Sequence, residues 1–317
     1  MNAIANVISA ELMKVFSKRR TYVLAGLYWL LMPIVLLLVG RVILSSLGGS
    51  FLEDEGLAVG SLLHNIASPF GMARLAVVGP AYMNPSFYML IVALFAALLI
   101  GEERSHNMWK TTLVAQPSRS AVYWGKFMVA WIVFGVLLAG GIASNFLFGA
   151  LGTTFLGTGF SGEWGSLLQA AGLQFLFAPA AIAFGFLLVF LLRNVALGLV
   201  SIFFLPALLE GLYTLYAGLV GFQPVTRFNA IFQALNLQQA LENLPRYFFT
   251  ANLYAPSRGL AANFLELLGA TPGELQGPLA GLVGGGMTLQ HSALVMAGYF
   301  VLFGALGWWL FNRRDVA

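Results

Sequence analysis

The chain has 317 residues, of which 59% are hydrophobic and 9% are charged, and its net charge at pH 7 is +4. Soluble globular domains carry about 25% charged residues, so this composition excludes an ordinary water-soluble fold. Cysteine is absent, which excludes disulfides, thiolate metal sites and cysteine catalysis.

An amphipathic segment, residues 1–21, begins the chain. Its apolar side chains share one helical face, and its charged side chains share another. The apolar positions are Ile4, Ile8, Leu12, Val15 and Phe16, and the charged ones include Glu11, Lys14 and Lys18. This pattern predicts a helix in the membrane interface, which acts either as a simple anchor or as a mechanical element.

Six apolar runs are long enough to cross a bilayer, which needs about 20 residues per helix. They are residues 22–47, 82–101, 121–150, 167–192, 195–219 and 291–311. We therefore predict a single all-α polytopic membrane domain covering 1–317. Pro33 interrupts the first run, and neighbouring groups are expected to satisfy the carbonyl that it frees. Ser118 or Ser120 is expected to cap the third span, and Arg193-Asn194 separates the fourth from the fifth.

The distribution of basic residues predicts the orientation, because short cytoplasmic loops are enriched in Lys and Arg. With both termini inside, 11 of the 16 basic residues are cytoplasmic: Lys14, Lys18, Arg19, Arg20, Arg104, Lys110, Arg119, Lys126, Arg193, Arg313 and Arg314. The loop 102–120 is then cytoplasmic, and the loops 48–81 and 220–290 are exoplasmic. The same rule explains the positive net charge, so we expect no nucleic-acid partner.

Motifs for chemistry are missing from the sequence. There is no G-x-x-x-x-G-K-[S/T] and no H-E-x-x-H, so neither a P-loop nor that zinc site is present. We predict that the chain is not an enzyme and binds no metal or cofactor itself.

Polar residues within the predicted spans are the remaining candidates for a substrate pathway, because such residues are costly in a membrane. Glu210 lies in the fifth span and faces a substrate cavity, or it snorkels or pairs with an outer arginine. Asn145 and Gln174 line the pathway or hydrogen-bond neighbouring helices.

Several short motifs around the first three spans and after the last one, taken together, are characteristic. They are Glu11-x-x-Lys14, Ser17-x-Arg19-Arg20, Glu103…Trp109-x-x-Thr112-Leu113…Pro117, Ser118-Arg119, Gly125-Lys126 and Phe311-Asn-Arg-Arg-Asp315. With this layout the chain resembles the permease subunit of an ATP-binding cassette (ABC) transporter of the ABC-2 type.

The resemblance implies a six-span permease that exports substrate across a bacterial or archaeal cytoplasmic membrane. It implies dimerisation with a second copy or a paralogue, and binding of two separate ATPase subunits that hold ATP and magnesium. An N-terminal elbow helix would include Glu11, Lys14, Arg19 and Arg20. The loop 102–120 would be the coupling element that contacts the ATPase, through Glu102, Glu103, Arg104, Asn107, Met108, Trp109, Lys110, Leu113, Pro117 and Arg119.

Two alternatives stay open. A secondary transporter would use an intramembrane carboxylate such as Glu210, and a structural subunit of a membrane complex would need no ATPase. The sequence does not indicate the cargo, because peptide, antibiotic, lipid, sugar and ion export all fit.

Overall fold

The fold is taken from a computed structural model of the chain. The structure describes residues 2–47, 68–82, 99–100, 118–156, 159–192, 194–220, 243–257, 260 and 288–313. Every regular element within these ranges is helical, which confirms the all-α fold class for the described part of the chain.

The elements follow one another as α-helices with two short turns of other helical types. They are α1 (Asn2–Ser17), α2 (Arg19–Gly26), a π-helical turn (Leu27–Leu31), α3 (Met32–Leu47), α4 (Pro69–Tyr82), α5 (Arg119–Leu156), α6 (Trp164–Leu192), α7 (Val195–Val220), a 3-10 turn (Leu244–Tyr247), α8 (Phe249–Leu253) and α9 (Leu289–Arg313).

Five stretches of the described helices are long and apolar enough to cross a membrane. They are Arg19–Leu38, Arg119–Thr154, Trp164–Leu192, Ala196–Tyr213 and Leu289–Arg313. These stretches correspond to the first, third, fourth, fifth and sixth predicted spans, and they indicate a membrane-embedded protein. The second predicted span, 82–101, lies outside the described residues except at its two ends.

Helix α5 is the centre of the bundle, because α1, α3, α4, α6 and α9 all pack against it. Its apolar stretch of 36 residues is about 54 Å long at 1.5 Å per residue. A bilayer core is about 30 Å thick, so α5 is long enough to reach beyond the hydrocarbon.

Aromatic rings hold the bundle together at both ends. At the end where α5 begins, here called the Arg119 end, the Tyr123 ring centroid lies 6.1 Å from that of Phe190 in α6 and 6.0 Å from that of Phe311 in α9. At the opposite end, called the Trp164 end, the Trp164 ring contacts Phe146 at 5.5 Å and Phe70 at 5.4 Å, both edge to face. The helices α5 and α6 are therefore antiparallel neighbours.

Polar side chains cap two helix starts, that of α7 and the predicted one of α5. The Asn194 side-chain oxygen accepts hydrogen bonds from the backbone N–H groups of Ala196 at 2.9 Å and Leu197 at 3.2 Å. The Ser118 hydroxyl accepts a longer one from the Ala121 N–H at 3.4 Å. These bonds satisfy N–H groups that have no partner inside the first turn of a helix, which confirms Ser118 rather than Ser120 as the cap of α5.

Pro33 is accommodated in the first span by a π-helical turn and by a neighbouring helix. Proline has no N–H, so the carbonyl four residues earlier, that of Trp29, loses its partner. The Ser144 hydroxyl of α5 donates a hydrogen bond to this carbonyl. The Trp29 ring N–H in turn donates to the Leu137 carbonyl at 3.0 Å. A neighbour therefore satisfies the freed carbonyl, as expected.

Helix α4 lies, except for its last residue Tyr82, within the range 48–81 that the sequence assigns to a loop. The side chains of Met72, Ala73, Ala76 and Val77 are all at most 1% exposed. The Tyr28 hydroxyl donates a hydrogen bond to the Ala76 carbonyl at 2.9 Å. This part of the range is thus a core helix packed on α5, because its small and apolar residues match the apolar faces of α5 and α6.

Candidate functional site

Most of the predicted coupling residues lie outside the described part of the chain. These are Glu102, Glu103, Arg104, Asn107, Met108, Trp109, Lys110, Leu113 and Pro117. Arg119 is described, and its guanidinium donates a hydrogen bond to the backbone carbonyl of Asn312 at 2.9 Å. The Trp308 ring N–H donates to the Ser120 hydroxyl at 3.0 Å. The chain that leaves the predicted coupling loop is therefore attached to the end of the last span.

A buried ion pair joins α1 to α5. The Glu11 carboxylate lies 2.8 Å from the Lys126 ammonium, and the two side chains are 5% and 1% exposed. The same carboxylate oxygen accepts a hydrogen bond from the Lys14 ammonium at 2.8 Å, although the Lys14 side chain is 42% exposed. Amphipathicity predicts Glu11 on the polar face of α1, whereas the structure turns it inward against α5.

Close packing surrounds this ion pair. A Cβ atom at Gly125 would lie 2.5 Å from the Val7 side chain, so only glycine lets α1 approach α5 this closely. Val15, one turn beyond Glu11 on the same face, is 2% exposed. Val7, Glu11 and Val15 thus form the face of α1 that docks on α5.

The electrostatics of the pair favour the charged form of Glu11. Burial by itself raises the pKa of the Glu11 carboxyl, but the nearby ammonium groups of Lys126 and Lys14 outweigh this effect, so the pKa lies below its ordinary value of 4.5. A buried carboxylate is stable only when it is paired in this way. The pair is therefore a fixed point of attachment between α1 and α5 at neutral pH.

The other predicted elbow residues lie at the corner between α1 and α2. The backbone is extended at Lys18, and the Thr21 hydroxyl donates a hydrogen bond across the corner to the Val15 carbonyl at 2.7 Å. Arg19 and Arg20 are exposed at this corner. The predicted elbow residues therefore divide into one buried acid and a set of outward-facing bases.

The three predicted pathway residues bind different partners. The side-chain amide of Gln174 donates to the Val77 carbonyl of α4 at 2.8 Å and also to the hydroxyl of Ser257. Asn145 donates to the Gly141 carbonyl of its own helix at 2.8 Å, and it is fully buried. Gln174 thus acts between elements, and Asn145 bonds back within α5.

Glu210 binds a segment that lies within the predicted outer loop 220–290. Its carboxylate accepts hydrogen bonds from the Thr250 backbone N–H at 2.9 Å and from the Thr250 hydroxyl. Thr250 belongs to the segment 243–257, which we call the outer clamp. Glu210 therefore attaches α7 to the outer clamp.

Helix α9 holds the outer clamp from the other side. The Tyr299 hydroxyl donates to the Tyr247 carbonyl at 2.7 Å. A ring nitrogen of His291 lies 3.0 Å from the Arg246 carbonyl. Together with the Gln174–Ser257 bond, these contacts connect the outer clamp to α6, α7 and α9 at the Trp164 end.

The sequence did not reveal the partners of these groups. The sequence places Lys126 among the cytoplasmic basic residues and in the Gly125-Lys126 motif. A lysine inside an apolar helix is also a sign that a buried acid lies nearby. Thr250 and Ser257 carry no such sign, because hydroxyl side chains are common in loops. Among the described residues, no group of three His, Asp or Glu side chains lies close enough to hold a metal ion.

Comparison of the chain with protein-family models, with curated proteins and with solved structures finds no match.

Proposed function

We propose that the chain is the membrane-spanning permease subunit of an ABC transporter of the ABC-2 type and exports substrate across the cytoplasmic membrane. In this proposal it pairs with a second copy or a paralogue and binds two separate ATPase subunits. ATP and magnesium belong to those subunits, and the permease converts their movement into a change of access to the transport pathway.

The observation that carries the proposal is the buried pair of Glu11 and Lys126. A helix that only anchors the chain to the membrane surface needs an apolar face and no buried charge. A buried pair strongly resists separation, because removing one charge from the other leaves it uncompensated in an apolar medium. The pair therefore favours a mechanical role for α1 over a simple anchor.

The position of the pair along α5 supports the same proposal. Helix α5 begins at Arg119, within the last two residues of the predicted coupling loop 102–120. Lys126 lies seven residues farther along, which is about 10 Å at 1.5 Å per residue. A movement of the loop and a movement of α1 would thus reach α5 within two helical turns of each other. The Arg119–Asn312 bond would pass the movement on to α9.

The test begins with the neighbouring reading frames. An ATPase that contains a P-loop and is encoded beside this chain should co-purify with it, and its ATP turnover in proteoliposomes should depend on this chain. Trp109→Ala should weaken that association by roughly 30-fold, since a truncated aromatic anchor commonly costs about 2 kcal/mol.

The structure directs the choice of control. Trp164 is unsuitable because its ring packs between Phe70 and Phe146. Trp309 is 44% exposed, so Trp309→Ala removes the same ring from an exposed helix face and should bind the ATPase normally.

Transport driven by an ion gradient without any ATPase would instead identify a secondary transporter. The absence of both ATPase binding and transport would identify a structural subunit.

A further inference from the structure

We propose that the corner between α1 and α2 binds the headgroup of an anionic phospholipid. Four basic residues, Lys14, Lys18, Arg19 and Arg20, occur within seven positions at this corner, and we call them the basic corner. Arg19 and Arg20 are exposed, and the Lys14 side chain is 42% exposed. The inference does not depend on the proposed transport function.

The inward turn of Glu11 leaves the outer surface of this segment basic. Glu11 is the only acidic residue among the first 52 of the chain, and its side chain is 5% exposed. Its carboxylate is directed toward Lys126 in α5. The segment therefore presents Arg19 and Arg20 outward while its one negative charge lies in the bundle, which suits a negatively charged ligand.

Exposed apolar side chains flank the basic corner on both helices. Met13 and Phe16 in α1 are 68% and 45% exposed, and Tyr22 and Val23 in α2 are each 61% exposed. Basic residues beside exposed apolar and aromatic ones are the pattern of a helix that lies in the membrane interface. Acyl chains would contact the apolar side chains while the phosphate binds the bases. A free phosphate ion would use only the second of these features, so the surface favours a whole lipid.

The absence of cysteine allows a local probe to test the proposal. An environment-sensitive fluorophore on Ser9→Cys would report from the exposed side of α1. The full chain, purified in a neutral detergent, would be titrated with phosphatidylglycerol, with phosphatidylcholine and with inorganic phosphate. We expect phosphatidylglycerol to cause a saturable change in fluorescence at a mole fraction well below that at which phosphatidylcholine causes any change. Inorganic phosphate should cause no change.

Charge-removing variants then locate the site. Arg19→Gln with Arg20→Gln should shift the phosphatidylglycerol midpoint upward by about fivefold for each charge removed. Arg246→Gln is the matched control, because Arg246 is an exposed arginine at the Trp164 end, and it should titrate like the unmodified chain. Equal responses to the two lipids, or an unchanged midpoint in the double variant, would overturn the proposal. So would a double variant that keeps its lipid response and loses only the ATPase, because the basic corner would then be a protein contact.

Discussion

The Ser144 hydroxyl in α5 donates a hydrogen bond to the backbone carbonyl of Trp29, which Pro33 deprives of its partner within the helix. The two residues are 115 positions apart in the chain. One side chain thus satisfies a backbone group inside a membrane span, where water is not available as a substitute. The same hydrogen bond attaches the π-helical turn of the first span to the central helix α5.

Removal of this hydroxyl should destabilise the bundle only while Pro33 is present. Ser144→Ala should lower the free energy of unfolding by about 0.6–1.5 kcal/mol, the range for a single hydrogen bond in these settings. In a Pro33→Ala background the residue at 33 again offers an N–H to the Trp29 carbonyl, so Ser144→Ala should cost much less. Denaturant titration of the four proteins gives the coupling energy. Ser166→Ala, at an exposed hydroxyl that bonds only to its own helix turn, controls for the substitution. A cost that is equal in both backgrounds would contradict this account.

The Glu11–Lys126 pair should be asymmetric in its energetics. Glu11→Ala leaves the Lys126 ammonium, 1% exposed, without its carboxylate, and should cost about 3–5 kcal/mol. Lys14→Ala should cost less than about 1 kcal/mol, because exposed ion pairs contribute little. Replacing both buried charges, as Glu11→Leu with Lys126→Met, should recover most of the stability. Thermal unfolding in detergent measures all three, and a Lys14→Ala loss as large as that of Glu11→Ala would refute the assignment.

Docking of α1 should weaken only in acid. The pKa of Glu11 is lower in the folded protein than its ordinary value of 4.5, through its two lysine neighbours against the opposing effect of burial. A lowered folded pKa contributes stability that is complete above about pH 4.5 and is lost as the pH falls toward the folded pKa. The Ser9→Cys fluorophore should therefore show a constant signal from about pH 8 to pH 5 and a transition below that range. Glu11→Gln should abolish the transition. A change centred near neutral pH would show that another group controls the docking.

Glu210 should hold the outer clamp in place. Ala255 in the clamp is 7% exposed, so a cysteine introduced there reacts slowly with a maleimide while the clamp is closed. Glu210→Ala removes the acceptor of both Thr250 hydrogen bonds and should raise the labelling rate about tenfold, the scale of one bond to a charged group. Glu163→Ala, at an exposed acid, should leave the rate unchanged. Equal labelling rates in both variants would mean that other contacts hold the clamp.

The orientation of the bundle can be tested at two exposed positions. Leu244 lies in the outer clamp and is 41% exposed, so Leu244→Cys would place a thiol at this surface. Ser118→Cys lies at the exposed start of α5, beside the predicted coupling loop. An impermeant thiol reagent added to intact cells should label the first, and it should label the second only after the membrane is opened. The reverse pattern would invert the predicted topology and place the coupling loop on the wrong side for an ATPase.

Features that depend on neighbouring residues in the chain were predictable from the sequence. The five described apolar stretches follow from their length and hydropathy, because a bilayer demands about 20 apolar residues in a row. The caps at Ser118 and Asn194 follow from the local demand of a helix start for a hydrogen-bond acceptor. Even the need for a donor near Pro33 was expected, since proline always frees one carbonyl.

Partners that lie far apart in the chain were decided by the tertiary structure. Periodicity places Glu11 on a face of α1 but does not say what covers that face, and the helix docks with its acid inward because Lys126 lies opposite it. The run Pro69–Tyr82 is too short for its length to predict a buried helix. It becomes a core helix because its small residues fit against α5 and α6. A charge or a freed carbonyl inside a membrane requires a partner, but the sequence alone does not identify it, because the partner is selected by helix packing in three dimensions.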